Sequence, residues 1–274
     1  MNAESVLMEG AAMTRPTWPA ARDVFAISIE RMLPRPRSFW VFLLLAFPFG
    51  LGLLVRFYDP KGIPLTGFEI YGMAASLYYV RNLLPLVALL FGSALISDGV
   101  DSKTLTYFLT RPIPRLSIFI GEFLAYLVTV LTLTVPCVVL TYIVFCVGTP
   151  QGIGFGASDL VQDLAACALT LFSYGALFAL LGVSLKRPLI PGLLFLFIWD
   201  GIVANFPGDA PNYTLTAYAR SLIRHRPAEE EILAQLFSKF FGVGESVLVL
   251  GIVGVVSLAL AIWIFSRREY VISS

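Results

Sequence analysis

Long apolar runs alternate with short polar breaks along this chain, and the runs have the length of membrane spans. A helix needs about 20 predominantly apolar residues to cross the hydrocarbon of a bilayer. Ser38 to Phe57 is the first such stretch. The second has its core at Leu83 to Ser97 and is expected to start near Tyr78. Ser117 to Val147 is the third. Its length allows tilt, and Pro136 is the expected kink because proline removes a backbone donor. Asp159 to Leu185 holds the fourth, with Asp159 and Asp163 in its first turns. Leu189 to Phe206 is the fifth and Ser246 to Phe265 the sixth. The pattern predicts an all-α integral membrane protein of about six transmembrane helices, with residues 1–274 forming a single transmembrane domain.

Three segments outside the spans carry their own pattern. Within an N-terminal segment 1–37, Ala21, Val24, Phe25, Ile29 and Met32 repeat at helical spacing, while Arg22, Asp23, Ala26 and Glu30 fill another face. This predicts an interfacial amphipathic helix over Ala20 to Leu33, with Arg31, Arg35 and Arg37 attracted to anionic lipid headgroups. The outer segment 207–245 opens on the turn-forming residues Pro207, Gly208, Pro211 and Asn212. Pro227 followed by Glu229, Glu230 and Glu231 then starts a helix, because carboxylates complement its N-terminal dipole. That helix is amphipathic, with Ile232, Leu233, Leu236, Phe237, Phe240 and Phe241 on one face, and it ends at Gly242. The third segment is the inner loop 98–116.

Composition agrees with lipid as the solvent. The chain is 58% hydrophobic and 14% charged, against about 25% charged in an ordinary soluble domain. A net charge of +1 gives no electrostatic pull toward nucleic acid. With the N-terminus placed inside, the inner segments hold 12 of the 19 basic residues and the outer segments 7. That bias favours both termini in the cytoplasm. Arg15, Pro16, Pro19, Arg22 and Asp23 interrupt any apolar run near the start, so no cleavable signal peptide is expected. The three cysteines, Cys137, Cys146 and Cys167, sit in apolar stretches without a CxxC pair and read as buried thiols.

Catalytic constellations are missing from the sequence. There is no phosphate-binding G-x-x-x-x-G-K-[ST] loop, and the dipeptide Gly-Lys does not occur. The single histidine, His225, cannot form a zinc motif, and no G-x-S-x-G elbow is present. Ionisable groups inside the spans are the remaining candidates, since charge in mid-bilayer is costly. Arg81, Glu122, Asp163 and Glu245 lie close enough to span ends to snorkel or pair near an interface. Asp200 is deeper and is the candidate for a transport pathway, or else for pairing with a neighbouring helix or reaching the outer water.

The inner loop runs from Asp98 to Arg115. Leu105, Phe108 and Leu109 are apolar at helical spacing, Asp101 or Ser102 can cap a helix start, and Pro112 and Pro114 stop it. A short, capped helix on a cytoplasmic loop suits docking into a groove of a soluble partner. Here the chain resembles the type-two ABC transporter permease family. That family shows an acidic residue, Gly-Thr-Leu, a short apolar helix, Pro-(Val/Ile)-x-Arg, and a Gly-Lys entering the next span. The matches are Thr104-Leu105, Leu109, Pro112-Ile113-Pro114-Arg115 and Gly121, with Asp101 at the acidic position. Lys103 stands where glycine is usual and Glu122 where lysine is usual.

The resemblance implies that two six-span subunits pair around a central path, with a second copy or a homologous permease as partner. Each would dock a separate ABC ATPase subunit through the coupling helix around Asp101 to Leu109. ATP and magnesium would sit on that partner, with no cofactor in this chain. Asp98, Asp101, Lys103, Thr104, Leu105, Arg111, Pro112 and Arg115 would carry the docking contacts. The implied setting is the bacterial cytoplasmic membrane, and the implied direction is export. The competing expectations are a stand-alone secondary carrier or channel, and a membrane scaffold without transport.

Overall fold

The computed structural model describes residues 17–58, 67–95, 115–146, 157–185, 187–203, 210–223 and 241–267. The described residues are helical, with short turns and no strand. In chain order the helices are α1 (Thr17–Met32), α2 (Pro36–Tyr58), α3 (Gly67–Gly92), α4 (Arg115–Cys146), α5 (Ala157–Ser184), α6 (Leu189–Ile202), α7 (Leu215–Ser221) and α8 (Val243–Arg267).

Five of these, α2, α3, α4, α5 and α8, are long and apolar enough to cross a membrane. The fifth expected span is α6, whose 14 residues extend roughly 21 Å at 1.5 Å per residue. That is short of the ~30 Å hydrocarbon core. The second span differs most from its expectation, because α3 starts at Gly67 rather than near Tyr78. Glu69, Ser76, Arg81 and Asn82 break the apolar run in sequence, but Tyr71, Ala75, Ser76, Tyr79 and Val80 are buried against other helices. The buried face of α3 meets protein and needs no lipid-like sequence there, while Glu69 and Arg81 are half-buried and Asn82 is exposed. α4 continues as a helix through Pro136.

The face expected of the N-terminal helix is the face that packs. Ala21, Val24, Ser28 and Met32 are buried, while Arg22, Asp23, Ala26 and Glu30 are exposed. α1 lies against the first half of α4, and the two backbones meet at Gly121. A Cβ there would come within 2.7 Å of the Ala21 carbonyl oxygen and 2.9 Å of Val24 Cβ, so only glycine allows the approach. The turn into α2 is tied by Ser38, whose hydroxyl donates to the Met32 carbonyl at 2.7 Å.

α3, α4 and α5 form the centre, and tyrosine hydroxyls join them to their neighbours. Tyr79 donates to the Leu45 carbonyl of α2 at 2.7 Å and lies 3.0 Å from Thr141 Oγ1 of α4. Tyr126 of α4 donates to the Leu171 carbonyl of α5 at 2.9 Å. Ser173 of α5 donates to the Leu250 carbonyl of α8 at 2.8 Å. Such bonds satisfy polar groups where no water is available. The peripheral helices α2, α6 and α8 instead expose large apolar side chains, among them Trp40, Leu54, Phe197, Ile198, Leu248 and Trp263. In water that surface would drive aggregation; in a bilayer it is the solvated face.

Two stretches widen from α to π winding, Ala74–Leu83 within α3 and Phe195–Ile202 within α6. In the first, the Leu84 N–H returns to the Tyr79 carbonyl. Pro85 has no N–H to give, and α winding resumes around it. The Asn82 side chain takes up the Leu77 carbonyl at 2.6 Å. Between α6 and α8, a 3-10 turn at Ala210–Tyr213 leads into α7. Most of the helix expected from Pro227 to Gly242 lies outside the described residues. At its end Phe241 stacks on Tyr218 with ring centroids 4.2 Å apart.

Candidate functional site

The two π segments face one cleft. Within the π stretch of α6, Asp200 is buried while Phe197, Ile198 and Trp199 are exposed. Asp200 is only 2% exposed, deep among helices. Its carboxylate accepts a short hydrogen bond from the Tyr174 hydroxyl of α5. It also accepts from Thr216 Oγ1 at 2.7 Å and from the Thr216 backbone N–H at 3.2 Å. Tyr174 Oη and Thr216 Oγ1 are themselves 3.0 Å apart.

This cluster explains how α7 starts. Thr214 is the N-cap, in extended conformation, but its side chain does not cap the helix. Asp200 supplies the acceptor from another element. One carboxylate therefore joins α5, α6 and α7. Trp199 adds a second link, with its indole N–H donating to the Tyr213 carbonyl at 3.2 Å.

Beside the cluster is a cleft of about 400 Å³, walled by Arg81, Asn82, Pro85 and Leu86 of α3, Leu196, Phe197, Asp200, Gly201 and Ile202 of α6, and Thr216 of α7. Its polar groups are a guanidinium, an amide, a carboxylate and a hydroxyl on apolar walls. Such a lining can bind a ligand or change shape, and its one hydroxyl–carboxylate pair, Thr216 and Asp200, is tied up at the start of α7. Among the described residues no group of three metal-ligating side chains occurs.

The other ionisable residues separate by surroundings. Glu122 is held by Arg31, whose Nη2 lies 3.0 Å from each carboxylate oxygen. Arg31 therefore faces a carboxylate of the protein, where the sequence pointed to lipid headgroups. Arg37 lies over the Phe91 ring at 4.7 Å. Asp163 does not reach a surface: it is fully buried, against Tyr71 of α3. Glu245 is exposed in the first turn of α8.

Of the docking residues expected from the sequence, Asp98, Asp101, Lys103, Thr104, Leu105, Arg111 and Pro112 lie outside the described residues, and Arg115 is the first residue of α4. Sequence reasoning singled out Asp200 but not Tyr174 or Thr216. The available signal was a lone carboxylate in an apolar run, which requires donors from somewhere.

A helical bundle with lipid-compatible flanks, close interhelical contacts and a polar cleft defines a polytopic membrane protein. Residues 31–270 match the sequence profile of the ABC-2 family transporter protein, and the chain belongs to that family. It is accordingly the membrane subunit of an ABC transporter. Comparison of the sequence with curated proteins gave no match.

Proposed function

We propose that the chain is the permease half of an ATP-driven exporter in the bacterial cytoplasmic membrane, with both termini in the cytoplasm. The family match across residues 31–270 carries this reading. The sequence adds two supports. It has no phosphate-binding loop of its own, so the ATPase, with its ATP and magnesium, would be another chain. Its loop 98–116 has the capped, proline-bounded pattern of a docking helix.

In this reading two permease subunits, identical or homologous, enclose the path, and each docks an ABC ATPase subunit through Asp98, Asp101, Lys103, Thr104, Leu105, Arg111, Pro112 and Arg115. Closure of the ATPase pair then rocks the spans between inward and outward states. Asp200 belongs to the part of the path wall that rearranges, because it ties α7 to the spans at one point.

The test is co-purification with candidate ATPase subunits, then ATPase stimulation against a panel of lipids, drugs, peptides and ions. Arg111→Glu and Arg115→Glu are expected to reduce recovery of the ATPase. Unchanged assembly and transport in both variants would remove the docking assignment.

A further inference from the structure

The flank where α1 crosses α4 holds a groove of about 630 Å³ with a cation at one end. Phe25 and Ala26 of α1 and Leu124 and Val128 of α4 form its apolar walls, and Arg22 stands at its rim. Arg22 is exposed, and neither Asp23 nor Glu30 lines the groove. Beyond Val128 the same face of α4 stays exposed. Every fourth residue of α4 from Leu124 to Leu140 is exposed. These residues form one stripe, and 16 residues of helix extend it over roughly 24 Å along the span. Arg22 follows Ala21, whose carbonyl lies at Gly121, so the guanidinium is anchored near the start of a stripe that is apolar apart from Thr132, whose hydroxyl turns back onto the Val128 carbonyl. The size falls within the roughly 300–1,000 Å³ of ordinary ligand sites.

We infer that this groove is a binding site for an anionic phospholipid, with the phosphate on Arg22 and an acyl chain along Leu124, Val128 and the stripe beyond them. The charge complementarity is specific to Arg22. Arg31 is occupied by Glu122 and Arg37 lies over Phe91, which leaves Arg22 as the cation lining this groove. A second protein copy would need an apolar surface against Val128 but would have no use for a cation aligned with the top of the stripe. The site is independent of the transporter cycle proposed above.

Native mass spectrometry of the detergent-purified full chain, titrated with phosphatidylglycerol and separately with phosphatidylcholine, tests the assignment. Arg22→Gln is expected to weaken phosphatidylglycerol binding roughly fivefold, from the loss of one basic residue near the headgroups. Arg22→Lys should retain it. Ala26→Trp, which fills the apolar end without changing charge, should weaken both lipids. Circular dichroism and gel filtration confirm that each variant is folded. Equal binding by wild type, Arg22→Gln and Ala26→Trp overturns the site. So does a preference for phosphatidylcholine, or disulfide-linked dimers from a Val128→Cys variant that exclude lipid.

Discussion

Arg31 and Glu122, 91 residues apart in sequence, form an ion pair in which one guanidinium nitrogen lies 3.0 Å from both carboxylate oxygens. The carboxylate is 2% exposed and the guanidinium 15%, so water screens the pair little on the glutamate side. On α4 it lies next to Gly121, and on α1 it lies ten residues beyond Ala21, so it fastens the other end of α1 to the same turn of α4. Glu122→Ala should destabilise the protein by about 1.5–3 kcal/mol, the range for hydrogen bonds to charged groups, as a lowered melting temperature in detergent. Arg31→Glu combined with Glu122→Arg should recover part of that loss, giving a coupling energy distinct from zero in a double-mutant cycle.

The Asp200 cluster predicts a local effect. Asp200→Ala removes the acceptor for the Thr216 N–H and hydroxyl and for Tyr174. The start of α7 then has buried donors without acceptors, each costing about 1–3 kcal/mol. Amide hydrogen exchange over Leu215–Ser221 should accelerate, while exchange in the middle of α5 changes little. Asp200→Asn keeps one carbonyl acceptor and should give an intermediate rate. Equal rates in wild type and Asp200→Ala would refute the capping role.

Gly121 sets the spacing of α1 and α4. Even an added methyl would meet the Ala21 carbonyl oxygen at 2.7 Å, and backbone cannot rotate away as a side chain can. Gly121→Val should cost about 1–3 kcal/mol by overpacking and displace α1. Limited proteolysis should then cut within Thr17–Met32 sooner than in wild type.

Cys137, Cys146 and Cys167 are each buried. None should react with a maleimide in the folded protein, and all three should react after denaturation in detergent. Modification of a native cysteine at the rate of the denatured chain would contradict the packing of α4 and α5.

Much of the fold was legible because lipid imposes a simple rule. Backbone polar groups must pair within a helix, and helices must be long and apolar. α2, α4, α5 and α8 follow that rule and begin within a few residues of expectation. The amphipathic face of α1 was equally legible, since Ala21, Val24 and Met32 repeat at the helical period. α3 was not, because its early part is buried on one face at Tyr71, Gly72, Ala75 and Ser76, while Glu69 is half-buried, and neither arrangement follows from local hydropathy. The resemblance to type-two permeases rested on the motif from Asp101 to Gly121, most of which lies outside the described residues, and the match over residues 31–270, which spans that motif, shows the family.

By itself the sequence determined the solvent of this protein, the number of apolar runs and the choice of Asp200 as the ionisable group needing explanation. Periodicity and hydropathy are local properties, and they suffice for that. Only the tertiary structure decided what each charge meets. Glu122 stands where the related pattern has lysine, and nothing nearby in sequence names Arg31 as its partner. Asp200 finds its donors 26 residues before it and 16 after it, on two other elements. A buried charge in lipid is tolerable only when donors converge on it, and convergence depends on how helices cross.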